Sequence, residues 1–198
     1  MKIDQSLPLE YSTQQNQLNI LGFWVFIGAE IMLFGTLFAA YFVLVDRTGT
    51  GPTGADIFEI TPVLFETFIL LTSSFTIGLG IHSMRKGYMK AMITFYILTL
   101  LLGVAFIGFE VYEFIHYVHV GAGLQTSAFT ATLLTTLGTH GAHVTFGVFW
   151  GIFIVYQLIT RGLTPETANK SFIFSLYWHF LDVVWIFIFS FIYLKGMV

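Results

Sequence analysis

The sequence predicts an all-α fold: an integral membrane bundle of five transmembrane helices, N-terminus cytoplasmic and C-terminus outside. Three observations carry this reading. The first is composition. Of 198 residues, 56% are hydrophobic and only 10% charged, with a mean hydropathy of +0.82. A soluble domain carries about 25% charged residues, and a small one leaves too much surface facing water to hide such an apolar excess. The second is the presence of five apolar stretches, each long enough for the roughly 20 residues that a bilayer span needs. The third is the placement of Lys and Arg.

Residues 1–19 form a polar segment without the apolar centre of a secretory signal, so the first span of the 20–198 membrane domain is expected to act as its own insertion signal. The expected spans are 20–45, 62–84, 91–118, 127–160 and 171–195. Between them lie connections that read as turns: Asp46–Ile60, rich in Gly and Pro; Arg85–Lys90; Val120–Thr126; and Arg161–Lys170, where Thr164-Pro165-Glu166 signals a fresh helix start. This threading puts Lys2, Arg85, Lys86, Lys90, Arg161 and Lys170 on one side and only Arg47 and Lys195 on the other. Cytoplasmic loops hold the excess of Lys and Arg, which sets the orientation. Gly147 and Gly151 form a small-xxx-small pattern that lets helix backbones approach closely.

Composition also excludes several functions. Without cysteine there are no disulfides, thiolate metal sites or cysteine nucleophiles. A net charge of -3 and the lack of a basic stripe argue against a nucleic-acid partner.

The informative residues are ionisable groups within apolar spans: Glu30, Glu66, Glu110, Glu113 and Asp182, with His82, His116, His140, His143 and His179. A charge at mid-membrane costs at least about 2.5–3.5 kcal/mol, so such groups are expected to be neutral, paired or functional. Glu30 has no basic residue within a helical turn. It reads equally as a carboxyl hydrogen-bonded to a neighbouring helix and as a proton-linked group. Glu110 and Glu113 share one face of the third span, and His140 and His143 one face of the fourth. If these spans are antiparallel neighbours, the four residues form a buried polar cluster in the outer half of the membrane. His179 and Asp182, also three apart, can pair within the fifth span.

The histidines and carboxylates allow two metal readings. Glu113-Phe114-Ile115-His116 is a Glu-x-x-His element of the type used by di-iron bundles, but the sequence has no second one. A haem between two helices needs two axial histidines. His140 or His143 with His179 or His82 are the candidates, and their depths do not evidently match. The expectation is no metal and no cofactor in this chain.

Five motifs then occur in order, one per span: Gly22-Phe23-Trp24 leading to Glu30; Leu71-Thr72-Ser73-Ser74-Phe75-Thr76 with His82-Ser83-Met84; Glu110-Val111-Tyr112-Glu113; Thr139-His140-Gly141-Ala142-His143-Val144; and Tyr177-Trp178-His179-Phe180-Leu181-Asp182-Val183-Val184-Trp185. Together they resemble subunit III of the haem–copper terminal oxidases. Tyr112-Glu113-Phe114-Ile115-His116-Tyr117 and Arg161-Gly162-Leu163-Thr164-Pro165 look like the menaquinol-oxidising branch of Gram-positive bacteria.

The resemblance implies a cofactor-free subunit of a proton-pumping quinol oxidase in a bacterial plasma membrane. Its partners would be a large catalytic subunit I holding haem and copper, subunit II, a small subunit IV and phospholipids. It would stabilise the catalytic subunit, and Glu30 would support proton uptake. Glu110, Glu113, His140 and His143 would form the buried polar cluster, with possible lipid or subunit contact. His179, Asp182 and Trp185 would make a further subunit contact. The mitochondrial type has seven helices, of which this sequence matches the last five. Two alternatives stay open: subunit III of a bacterial cytochrome c oxidase, and a free-standing small transporter or proton channel. A transporter usually carries inverted repeats or helices broken at the midplane, and neither pattern is found in the sequence.

Overall fold

Inside a bilayer no water is available to backbone N–H and C=O groups, so an apolar stretch must satisfy them within itself, as a helix. The computed structural model, which describes residues 6–197, has five helices long and apolar enough to cross a membrane. Lys2, counted above on the cytoplasmic side, lies outside the described residues. The helices are α1 (Gln14–Leu44), α3 (Ile60–Arg85), α4 (Met89–His119), α5 (Ala128–Arg161) and α6 (Pro165–Ile188), with a four-residue α2 (Gly54–Ile57) between the first two. Among the described residues there is no strand.

Local chemistry sets the ends. The Thr13 hydroxyl accepts from the Asn16 amide at 3.1 Å and opens α1 six residues before its apolar stretch begins. Ser127 opens α5 in the same way, accepting from the Thr130 amide at 3.1 Å. At Thr164-Pro165 the expected helix start is found: Thr164 caps α6 and accepts from the Thr167 amide at 3.2 Å. Proline follows at the first helical position, where its missing N–H costs nothing. Gly87 (φ 75°) and Gly162 (φ 71°) carry the chain out of α3 and α5 through left-handed backbone that side chains disfavour.

The linker Asp46–Ile60 is more ordered than a turn. Asp56 accepts from the Thr53 hydroxyl at 2.6 Å and from the Thr53 amide at 2.8 Å, which closes α2. Those two bonds hold the Asp56 carboxyl below the usual carboxylate range.

Helices that follow one another through short turns pack side by side: α3 with α4, α4 with α5, and α5 with α6. The α6 helix also meets α3 and α1, and 56% of its apolar window is buried, against 17% for α1. Thus α6 is the central helix, and α1 is an outer one resting on α5 and α6. Its exposed side carries Leu21, Val25, Met32 and Val43.

The polar end of α1 is fastened separately. Glu10, fully buried, pairs with Arg85 at 2.8 Å. The Asn169 side-chain amide donates to the Glu10 and Asn16 carbonyls at 3.0 and 3.1 Å, and the Asn16 side chain donates to the Pro165 carbonyl at 2.9 Å. At the other end, Phe189–Leu194 continue α6 as a π-helix.

Candidate functional site

Three groups of polar side chains lie between the helices. The first joins α1 to α5. Glu30 Oε2 stands 3.1 Å from His143 Nε2, off the line of a hydrogen bond. The other ring nitrogen of His143, Nδ1, lies 2.7 Å from the Thr139 carbonyl. A carbonyl only accepts, so Nδ1 carries a proton and donates it. Neutral His143 therefore turns the bare lone pair of Nε2 toward Glu30. Both side chains keep some exposure, 13% for Glu30 and 22% for His143.

The second group is more deeply buried and gathers residues from α3, α4, α5 and the π-helical end of α6. Glu66 (1% exposed), Glu110 (5%) and Glu113 (7%) lie within electrostatic range of one another. Antiparallel packing of α3 on α4 explains the meeting: Glu66 is six residues into α3, and Glu113 is six residues from the end of α4, so they share a depth. Glu113 accepts from Tyr117 at 2.7 Å and from Tyr193 at 2.5 Å. The π-helical turn supplies the second phenol. The Glu110 carboxyl rests on the bare backbone of Gly141, where a Cβ would come within 2.5 Å of it. Two oxygens of Glu66 and one of Glu110 have no hydrogen-bond partner among the described residues.

The expected cluster of Glu110, Glu113, His140 and His143 is thus only partly assembled. His143 belongs to Glu30. His140 is fully buried, yet neither ring nitrogen has a partner among the described residues. It sits in an aromatic box, edge to Phe106 at 5.8 Å and tilted against Trp185 at 5.5 Å.

The third group lies along α6. Ser74 of α3 bonds His179 Nδ1 at 2.6 Å, and Asp182 Oδ2 is 4.0 Å from the same nitrogen. His179 keeps 43% of its side chain exposed and Asp182 6%. Trp185 is sealed inside the bundle, donating from its indole N–H to Thr67 at 3.0 Å. Of the three residues expected to face a neighbouring subunit, His179 alone presents a substantial surface.

Glu66, Tyr117 and Tyr193 were not among the expected site residues. Depth counting from the short α3–α4 turn was the signal available for Glu66. Tyr193 had none, because its register depends on the π-helical turn. No three His, Asp or Glu side chains among the described residues are arranged to hold a metal ion.

Comparison with known proteins places this arrangement in a family. The sequence profile described as cytochrome c oxidase subunit III matches residues 10–197. The chain is 56% identical over 194 residues to a quinol oxidase subunit 3 from Bacillus spizizenii, and 55% identical over the same length to that of Bacillus subtilis; each match covers 98% of this chain and 95% of the relative. A probable quinol oxidase subunit 3 from Staphylococcus saprophyticus is 49% identical over 191 residues, covering 96% of this chain and 95% of its own. With its family motifs in order on five packed helices, the chain belongs to the cytochrome c oxidase subunit III family.

Proposed function

We propose that this chain is the third subunit of a proton-pumping haem–copper quinol oxidase in a bacterial plasma membrane, with its N-terminus in the cytoplasm and its C-terminus outside. The carrying observation is identity above one half, over nearly the full length of both chains, to relatives named quinol oxidase subunit 3. In this reading the haem and copper belong to a large catalytic subunit I, and the chain works beside it, subunit II and a small subunit IV without taking part in electron transfer. Its contribution is to stabilise that partner and to support proton uptake.

The Glu30–His143 dyad supports the second role. It sets a carboxyl 3.1 Å from an imidazole on the outermost helix, close to any subunit that covers α1. His179, the exposed residue of the third group, is the candidate subunit contact on α6.

The test is mild-detergent purification through a tag on this chain. The expected product is a complex whose optical spectrum carries haem bands and which oxidises a menaquinol analogue with oxygen uptake. Oxidation of reduced cytochrome c instead would move the chain to the cytochrome c branch. A haem-free preparation would point to a free-standing membrane protein.

A further inference from the structure

Between α4 and α5 a groove of about 280 Å³ opens on the circumference of the bundle. Ile107, Val111 and Ile115 of α4 form one wall, and Gly138, Gly141 and Thr145 of α5 the other. Val111 and Ile115 stand exposed on its rim. Glu110 also lines the groove. It is 5% exposed, and one of its carboxyl oxygens has no hydrogen-bond partner among the described residues. Its neighbour Glu113, by contrast, accepts from two phenols. The only Lys and Arg on α4 and α5 are Lys90 and Arg161, toward the opposite end of the bundle. Neither helix therefore offers Glu110 a cation. A buried acceptor without a donor is the exception that calls for an explanation.

A second observation lies on α5 alone. Ala131, Thr135, Gly138, Ala142 and Thr145 follow one another at intervals of four, three, four and three residues, the spacing of a coiled-coil seam. All five are small, and small residues are what let spanning helices approach closely. Thr135 and Ala142 are exposed. A Cβ added at Gly138 would meet Phe114 alone, no nearer than 3.6 Å. The Thr135 hydroxyl is committed to the Ala131 carbonyl at 2.7 Å. The Gly147–Gly151 pair differs, because Trp178 and Leu100 fill it from within the bundle.

Acyl chains would cover this seam but bring no donor to Glu110. A second copy docked on the same face about a two-fold axis would set Glu110 against Glu110, again without a donor. A spanning helix of another polypeptide can supply both a close-packing face and an N–H group. We propose that the α4–α5 groove seats one membrane-spanning helix of a different polypeptide, packed along the Ala131–Thr145 seam and donating a side-chain N–H, as on Lys, Arg or Trp, to the Glu110 carboxyl. The heptad spacing of the seam sets a crossing angle of about 20°. Glu110 lies nine residues from the end of α4, so the donor sits about 14 Å below that end. The inference needs only that the chain spans a membrane, and stands apart from the oxidase assignment.

The test places benzoylphenylalanine singly at Thr135 and at Ala142 and irradiates native membranes holding the whole complex. Both positions are expected to cross-link to one helix of one partner, at sites about seven residues apart, as the two probes are. Gly138→Leu, which fills the groove and leaves the buried carboxyls unaltered, should lower both yields about tenfold, the lower end of what overpacking costs. Glu110→Met should lower them about threefold, the average weight of one interhelical hydrogen bond in a membrane. Replacing the partner's N–H-bearing residue at that depth by Leu should do the same, and the two changes together should cost no more than either alone. If E110M fails to assemble, G138L decides alone. Adducts with lipid only, adducts with a second copy of this chain, adducts scattered over several proteins, yields unchanged in G138L, or additive losses in the double variant would each overturn the proposal.

Discussion

Glu30 of α1 and His143 of α5 face one another at 3.1 Å, across the seam where the most exposed helix joins the bundle. Because His143 Nδ1 is committed to the Thr139 carbonyl, Nε2 is the ring nitrogen left to face Glu30. Glu30 has no cation near it along its own helix, yet tertiary packing supplies an imidazole from the neighbouring helix.

Glu30→Gln is expected to leave assembly and initial quinol oxidation largely intact while sustained turnover and proton pumping fall. His143→Gln should do the same. Glutamine keeps the size of Glu30 and removes its titrating proton. A double-mutant cycle on pumping or thermal stability should give a coupling of about 1 kcal/mol, as for residues in contact. Additive effects with wild-type pumping would reduce the pair to packing.

Gly141→Ala should destabilise the subunit by about 1–3 kcal/mol, the usual cost of overpacking a core, because the new methyl meets the Glu110 carboxyl. Adding Glu110→Ala should recover part of the loss. Melting of the detergent-solubilised complex, followed by intrinsic fluorescence, reads both effects; no recovery in the double variant would place the strain elsewhere.

Tyr193→Phe removes one of two phenol donors to Glu113. The expected loss is about 1–3 kcal/mol, the cost of leaving a buried acceptor without its donor. Tyr117→Phe should cost a similar amount. Equilibrium unfolding in mixed micelles compares them, and a change within experimental error for both would show that Glu113 is held by something else.

His140→Phe is expected to be tolerated within about 1.5 kcal/mol, as for volume-conserving swaps in a core. His140→Ala should cost more, because it empties an aromatic box. Loss of turnover in a stable His140→Phe complex would reveal a polar duty for this ring.

Orientation can be read with single cysteines, since the native chain has none. Ser83 is too buried to label, so Tyr88→Cys reports the α3–α4 turn and Thr53→Cys the α2 linker. Labelling of Tyr88→Cys from the cytoplasmic side and of Thr53→Cys from outside is expected from the six-to-two distribution of Lys and Arg.

The sequence by itself determined five membrane-length helices, because a bilayer fixes both the length of an apolar run and the need to satisfy its backbone within the run. It also marked the α6 start, where Thr164 caps through Thr167 three residues on and Pro165 has no N–H to satisfy, and named most of the buried polar residues, which stand out against an apolar background. Their partners were decided only by tertiary structure. These helices are apolar around most of their circumference, so no amphipathic stripe tells which side turns inward. Rotation and depth come from packing between helices, and a small rotation exchanges one candidate partner for another. That is why His143 meets Glu30 rather than Glu110, why His140 ends in an aromatic box, and why Tyr193 reaches Glu113 from a π-helical turn that residue spacing does not foretell.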